Sequence, residues 1–151
     1  MRRRTAVVLS VAVLALPACG GDEDEPEPWA GPPRAAGDGS VAVEGFNEAI
    51  EERNPDWARA PLLAAAAFLG EEDRTSVEGP TISIVEERPE REDERTVVVT
   101  EDGLLDDSVQ AARHVLLFRA EDGRWLLVSA EWSQRCRRGR GHQDFAPELC
   151  T

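Results

Sequence analysis

His114 and Glu131 are the two residues whose chemical types and predicted placement suit acid–base chemistry. Asp122-Gly123 is a strong signal for a two-residue hairpin turn, and counting outward from this turn places His114 opposite Glu131. Alternate residues of a strand share one face, so the pair would lie at the end of the apolar face that holds Leu116 and Phe118. A histidine beside a carboxylate can transfer protons. The simpler interpretation is a cross-strand ion pair that stabilises the fold by about 0.2–1 kcal/mol. The sequence favours it because a histidine–carboxylate dyad alone lacks a nucleophile and an oxyanion site.

The same register makes further predictions about this hairpin. On the face of His114 it forms three more cross-strand pairs, which are Ala120 with Trp125, Phe118 with Leu127, and Leu116 with Ser129. On the opposite face it places Arg113 across from Trp132, close enough for a cation–π contact.

A basic cluster lies near the C-terminus of an otherwise acidic sequence, and it consists of Arg135, Arg137, Arg138, Arg140 and His142. Arginine recognises phosphate and carboxylate groups, so the cluster could clamp a phosphate, a carboxylate or an anionic polymer. The excess of acids favours a second interpretation, a loop whose arginines pair with the protein's own carboxylates. The chain contains no zinc-protease, serine-hydrolase or nucleotide-binding motif, and the glycines at 139 and 141 are too close together for a phosphate-binding loop.

The N-terminus carries the features of an export signal. Three arginines at positions 2–4 precede an apolar run, Ala6 to Leu16, that is too short to span a bilayer. The following segment, Leu16-Pro17-Ala18-Cys19, resembles the lipobox of bacterial lipoproteins, although Pro17 departs from the small residue that is usual there. The resemblance implies a signal peptide over residues 1–18, lipid such as palmitate on Cys19, and a place on the extracytoplasmic face of the cell membrane. Without lipidation, cleavage after the same small residue would release a soluble secreted protein.

The cysteine count agrees with this resemblance. The chain has three cysteines, and giving Cys19 to lipid leaves Cys136 and Cys150 as an even pair in an oxidising compartment. A disulfide between them would contribute about 3 kcal/mol in the chain-entropy model. The alternative is a metal site, but two cysteines and His142 fall short of the four ligands of a structural zinc site. We therefore expect a disulfide, no metal and no cofactor.

Composition divides the rest of the chain into a tether and a domain. Residues 19–39 are acidic and rich in proline, which predicts a disordered tether, and Trp29 is most simply an exposed linker aromatic. Residues 40–151 form a single domain. Removing residues 1–18 takes three of the 17 arginines and none of the 30 acids, so the net charge falls from −13 to about −16. Such a charge argues against nucleic acid as a partner.

Two helices are predicted at the start of this domain. Ser40 is a plausible N-cap for the first, in which Phe46 and Ile50 follow at helical spacing, and Asn54-Pro55 ends it. Asn54-Pro55 can also start the second helix, which Pro61 either kinks or restarts. The apolar stretch from Leu62 to Leu69 should be buried, and the glycine that follows it suits a helix end.

Strands follow the helices. The stretches 81–88 and 95–100, which are rich in isoleucine and valine, and the long stretch 109–120 predict three strands, and 125–132 is the return strand of the hairpin. Helices followed by an antiparallel meander indicate an α+β fold in which helices pack on one face of the sheet.

This order of elements resembles the NTF2-like or cystatin-like superfamily over about residues 40–135. The resemblance implies a curved sheet wrapped around the N-terminal helices, with a concave face that often serves as a pocket. We add to it a C-terminal loop closed by the disulfide.

The expected function is that of a lipid-anchored envelope protein, a non-enzymatic binding or scaffolding module. Its contact surfaces would be the concave face and the arginine-rich loop, and its partner an envelope protein or an anionic polymer. The alternative is a small NTF2-like enzyme or ligand-binding pocket that uses His114 and Glu131.

Overall fold

The computed structural model describes residues 29–70, 80–87 and 91–151. The predicted signal peptide, Cys19 and the predicted tether up to residue 28 lie outside the described residues, and so do 71–79 and 88–90. None of the helices in the described segments has the length and apolar content needed to span a bilayer.

The domain begins with a short strand, β1 (Ser40–Val41), followed by helix α1 (Glu44–Arg53). The prediction of Ser40 as a helix N-cap is therefore wrong. Its backbone N–H and its hydroxyl both donate to the Asp38 carboxylate, which fixes a turn that leads into β1. Phe46 and Ile50 of α1 are fully buried, as their helical spacing predicts.

Helix α2 spans Pro61–Leu69, and the chain is interrupted at both predicted places, Asn54-Pro55 and Pro61. Asn54 adopts the left-handed conformation, with φ of 46°, and its N–H donates to the Ile50 carbonyl, so α1 ends there. A 3₁₀ turn, Asp56–Arg59, follows, and Pro61 restarts the helix at its first position, where proline costs no hydrogen bond. The prediction that Asn54-Pro55 starts the second helix is wrong.

Helix α2 is buried on one side only. Ala64, Ala65 and Phe68 are in the core, whereas Leu62 and Leu63 are 41% and 55% exposed. The expectation that the whole apolar stretch is buried is therefore wrong. Gly70 ends the helix in the left-handed region, with φ of 70°.

The strands of the described residues form one five-stranded antiparallel sheet, and four of them follow the helices, as the α+β prediction requires. Its remaining strands are β2 (Thr81–Glu87), β3 (Glu94–Asp102), β4 (Val109–Glu121) and β5 (Arg124–Cys136). They form a meander in the order β1-β5-β4-β3-β2, with β1 added at the far edge beside β5. The hairpin turn lies at Asp122 and Gly123, both at positive φ, as its sequence predicts.

The hydrophobic core lies between the helices and one face of the sheet. The sheet contributes buried apolar side chains from four strands, namely Val41, Val97, Val99, Leu116, Phe118, Leu127 and Ala130. The helices contribute Phe46, Ile50 and Phe68, whose rings and side chains are fully buried. We call this the helix-covered face of the sheet.

Trp29 is part of this core, so the expectation of an exposed linker aromatic is wrong. Its ring lies 5.3 Å from that of Phe46 and 5.5 Å from that of Phe68, measured between centroids. Its indole N–H donates to the Phe68 carbonyl at 2.8 Å. The packed part of the chain thus extends N-terminal of residue 40 to include Trp29.

A β-bulge interrupts the pairing of β4 with β5. The pairs next to the turn are those predicted, including Phe118 with Leu127, but the next residue of β4, Leu117, pairs with Ser129. Val128 is the extra residue, so the pairs from Leu117–Ser129 to Ala111–Arg135 are shifted by one. A second irregularity at Gln110 returns Val109–Cys136 to the original register. The prediction that Leu116 pairs with Ser129 is wrong, because Leu116 pairs with Ala130.

Helix α1 contacts β5 at this bulge through Asn47. The Asn47 side chain donates to the Leu127 carbonyl at 2.8 Å and accepts from the Leu127 N–H at 2.9 Å. These two bonds give hydrogen-bond partners to the N–H and the carbonyl of Leu127, which β1 does not reach because it pairs only with Ala130 and Glu131.

Candidate functional site

The bulge separates the two residues of the predicted acid–base pair. His114 pairs with Trp132, and Glu131 pairs with Val115. Adjacent residues of a strand point to opposite faces, so Glu131 lies on the face opposite to His114, where it is exposed. The predicted His114–Glu131 contact is therefore wrong, because one inserted residue moves everything beyond it to the other face.

His114 instead lines a cavity of about 590 Å³ on the helix-covered face. The cavity is formed by three parts of the chain, the stretch 33–37, the sheet and the C-terminal tail. Its lining residues are Pro33, Arg34, Ala35, Ala36, Gly37, Val41, His114, Trp132, Gln134, Pro147 and Leu149. We call this cavity the His114 pocket.

Burial lowers the pKa of His114, because an enclosed site disfavours the charged imidazolium, and the Glu101 carboxylate opposes this effect. The Nδ1 atom is buried and has no hydrogen-bond partner among the described residues. The ring is therefore a neutral imidazole at pH 7, with one nitrogen that donates and one that accepts.

The C-terminal tail forms one wall of the His114 pocket and is fixed to the sheet at several points. Cys136, the last residue of β5, forms the predicted disulfide with Cys150, with 5.4 Å between their Cα atoms. Gln134 and Ala146 exchange backbone hydrogen bonds, and the Gln134 side-chain amide donates to the Glu148 carbonyl at 2.6 Å. These contacts hold Pro147 and Leu149 against the mouth of the pocket.

His142 fastens the turn inside this tail. Its Nδ1 donates to the Asp144 carbonyl at 2.8 Å and its Nε2 donates to the Glu148 carbonyl at 2.9 Å. A carbonyl can only accept, so the two contacts are satisfied together only by the protonated ring, and these bonds raise the pKa of His142. The ring of His142 thus links two backbone carbonyls of the tail.

The possible metal ligands Cys136, His142 and Cys150 do come together. Their ligand atoms lie within 4.8 Å of one another. The two sulfurs are joined in the disulfide and both nitrogens of His142 are used, so this arrangement holds the tail in place.

The predicted basic cluster is spread along the edge of a shallow depression of about 580 Å³ that includes Arg135, Arg137 and Arg138. Arg137 donates to the carbonyls of Leu104 and Asp106, each at 2.7 Å. Arg140 pairs with the Asp107 carboxylate at 3.2 Å. Both arginines therefore link the segment that follows β5 to the loop between β3 and β4.

Arg135 is also engaged, by an ion pair of 2.8 Å with Asp102. Its guanidinium lies 5.2 Å from the Phe145 ring, and that of Arg113 lies 3.7 Å from the same ring. The predicted Arg113–Trp132 contact is wrong, because the bulge pairs Arg113 with Ser133 and the tail brings in Phe145.

Arg138 is exposed and makes no hydrogen bond or ion pair within the described part of the chain. Arg135 and Arg140 thus pair with the protein's own carboxylates, as in the second interpretation, whereas Arg137 is held by backbone carbonyls. An anion clamp built from several of these arginines would first have to break those contacts.

Sequence reasoning missed the residues that complete the His114 pocket. The sequence prediction places Arg34 and its neighbours in the tether and gives Leu149 no role, whereas both residues line the pocket. Trp132 was placed opposite Arg113, on the wrong face. No local signal marks these positions, because they meet only when the tail and the stretch 33–37 fold back onto the sheet.

No protein-family model, curated protein or solved structure matches this chain.

Proposed function

We propose that this protein is a lipid-anchored, extracytoplasmic binding protein that holds a small molecule in the His114 pocket. The observation that carries the proposal is the cavity of about 590 Å³ with His114 and Trp132 in its lining. Ligand sites are typically concave, about 300–1,000 Å³ in volume, mostly apolar and equipped with a few polar groups. The pocket has this composition, with alanine, proline, valine, tryptophan and leucine around His114, Gln134 and Arg34.

The proposed role is binding without catalysis. The residues directly across from His114 on the two neighbouring strands are Val99 and Trp132, and neither is an acid. The Glu101 carboxylate acts on the ring electrostatically, but it is not among the described residues that line the pocket. The lining residues in the described segments include no serine, threonine, cysteine or acid that could act as a nucleophile. A histidine in this setting is suited to donating or accepting a hydrogen bond.

The order of elements supports an NTF2-like or cystatin-like fold as part of the same proposal. Two helices precede an antiparallel meander, and they pack on the face that holds Leu116 and Phe118. In such folds the covered face of a curved sheet is where a pocket forms, which is the face of His114.

The anchor in this proposal rests on the segment Leu16-Pro17-Ala18-Cys19. We expect mass spectrometry of the mature protein to find an N-terminal Cys19 that carries lipid. We also expect the Cys19→Ser variant to lose this mass and to leave the membrane fraction. An unmodified Cys19 in the wild type, or a Cys19→Ser variant that stays in the membrane fraction, would contradict the anchor.

The binding role is tested by filling the pocket. Ala36 is exposed and lines the cavity, so Ala36→Trp should occupy the space of a ligand, whereas Ala42 is exposed and lies outside the lining. In a thermal-shift screen of small molecules, compounds that bind the pocket should stabilise the wild type and Ala42→Trp but not Ala36→Trp. If every stabilising compound acts equally on the two variants, or none stabilises the wild type, the pocket is not the binding site.

A further inference from the structure

Among the described residues that line the His114 pocket, Arg34 is the one cationic side chain. It forms no hydrogen bond or ion pair with any residue in the described ranges 29–70, 80–87 and 91–151. Arg135 and Arg140, in contrast, are each paired with an aspartate. In a chain with a net charge of −13, an arginine without such a partner is a local site of attraction for an anion.

The surroundings of Arg34 leave this charge uncompensated. No acidic side chain is among the described residues that line the pocket. The nearest acid in the sequence, Asp38, accepts the N–H and the hydroxyl of Ser40 at 3.0 and 2.7 Å, and these bonds lower its pKa. Asp38 is therefore an ionised carboxylate committed to its own turn.

Most of the remaining lining is apolar, so the anion needs an apolar body. Trp132 and Val41 form part of the sheet side, Ala35 lies on one wall and Pro147 on another. Leu149 at the tail is 67% exposed, which is costly for a leucine unless something covers it. A bound apolar group would remove this surface from water.

His114 limits the charge that the pocket can neutralise. Because its pKa is lowered, it offers a neutral N–H rather than a second positive charge. One arginine and one neutral donor suit a carboxylate with a single charge. A phosphate carries more charge and is usually held by several cations or backbone N–H groups.

We infer that the ligand of the His114 pocket is a small monocarboxylate with an apolar body, whose carboxylate pairs with Arg34 and whose body lies against Trp132. This inference rests on the proposed function, since it names the ligand class of the same pocket.

The test is calorimetric titration of the purified full-length chain with 3-phenylpropanoate and with its uncharged analogue, 3-phenylpropanamide. The acid should bind about tenfold more tightly than the amide, as a charge-assisted hydrogen bond in a partly enclosed site allows. Arg34→Gln should remove this difference. Arg138→Gln is the matched control, because it makes the same charge change at an exposed arginine without a partner outside the pocket.

Three outcomes would overturn the inference. Equal binding of acid and amide would exclude a carboxylate preference but keep the pocket as a binding site for apolar molecules. A preference for the acid that survives Arg34→Gln and disappears in Arg138→Gln would place the anion at the arginine-rich loop. Binding of neither probe would exclude this ligand class, and the comparison of Ala36→Trp with Ala42→Trp would still decide whether the pocket binds anything.

Discussion

Truncation of Trp29 distinguishes a tether residue from a core residue. In a disordered tether, Trp29→Ala would leave the free energy of unfolding unchanged. In the structure, the indole packs against the Phe46 and Phe68 rings and its N–H donates to the Phe68 carbonyl. The two descriptions of Trp29 therefore predict different changes in the free energy of unfolding, which equilibrium unfolding can measure.

The magnitude follows from these contacts. Each aromatic pair contributes about 0.5–1.5 kcal/mol beyond its buried area, and the hydrogen bond contributes about 1 kcal/mol. The half-buried ring also loses apolar burial, at about 25 cal/mol per Å². We therefore expect Trp29→Ala to lower the free energy of unfolding by about 3 kcal/mol. Trp29→Phe keeps a ring but loses the donor, so it should cost about 1 kcal/mol.

The assay is urea unfolding followed by far-UV circular dichroism, because the backbone signal does not depend on the tryptophan that is removed. Leu105→Ala is the control truncation, since Leu105 is 94% exposed and should change the free energy of unfolding by less than about 0.5 kcal/mol. If Trp29→Ala changes stability as little as Leu105→Ala does, Trp29 is not packed on the core and the tether extends past it.

Three further predictions concern side chains that hold distant parts of the chain together. Asn47→Asp should lower the free energy of unfolding by about 2 kcal/mol in urea titrations, because a carboxylate cannot donate the bond that the amide gives to the β5 backbone. Replacing Cys136 and Cys150 together with alanine should cost about 3 kcal/mol by the same method, and a reducing agent should have little further effect on that variant. In an NMR pH titration, the two histidines should titrate on opposite sides of the ordinary value of about 6.5, His114 below it and His142 above it. The contribution of His142 to stability is then fully present below about pH 6.5 and is lost as the pH rises through its raised pKa. His114, in contrast, lowers the free energy of unfolding as the pH falls below about 6.5. If both histidines titrate near 6.5, the two environments are wrong.

The hairpin β4–β5 shows how far register can be predicted from sequence. Asp122-Gly123 fixes the turn through its own backbone preferences, and the pairing is correct as far as Phe118 with Leu127. Beyond that point the prediction fails, because Val128 is inserted as a bulge. Asn47, which lies 80 residues from Leu127 in the sequence, occupies the backbone there, and no pattern within the hairpin indicates this contact.

The candidate site was predictable in part. His114 was correctly assigned to the face that holds Leu116 and Phe118, since all three residues lie on one strand and alternation alone relates them. Its partner was not predictable, because a pairing across two strands depends on register. The pocket itself requires the stretch 33–37 and the tail. Neither segment has the regular spacing of apolar residues from which burial could be predicted.

By itself, the sequence determined the features that depend on neighbouring residues. These are the α+β order, the helix ends at Asn54 and Gly70, the hairpin turn and the pairing of Cys136 with Cys150, and each follows from local backbone preference or from the count of cysteines. The tertiary structure alone decided which face Glu131 occupies, whether Trp29 is packed, and that Arg34 and His114 line the same cavity. Such relations depend on contacts between residues far apart in the chain, and they are selected by the free energy of the whole fold rather than by any segment of it.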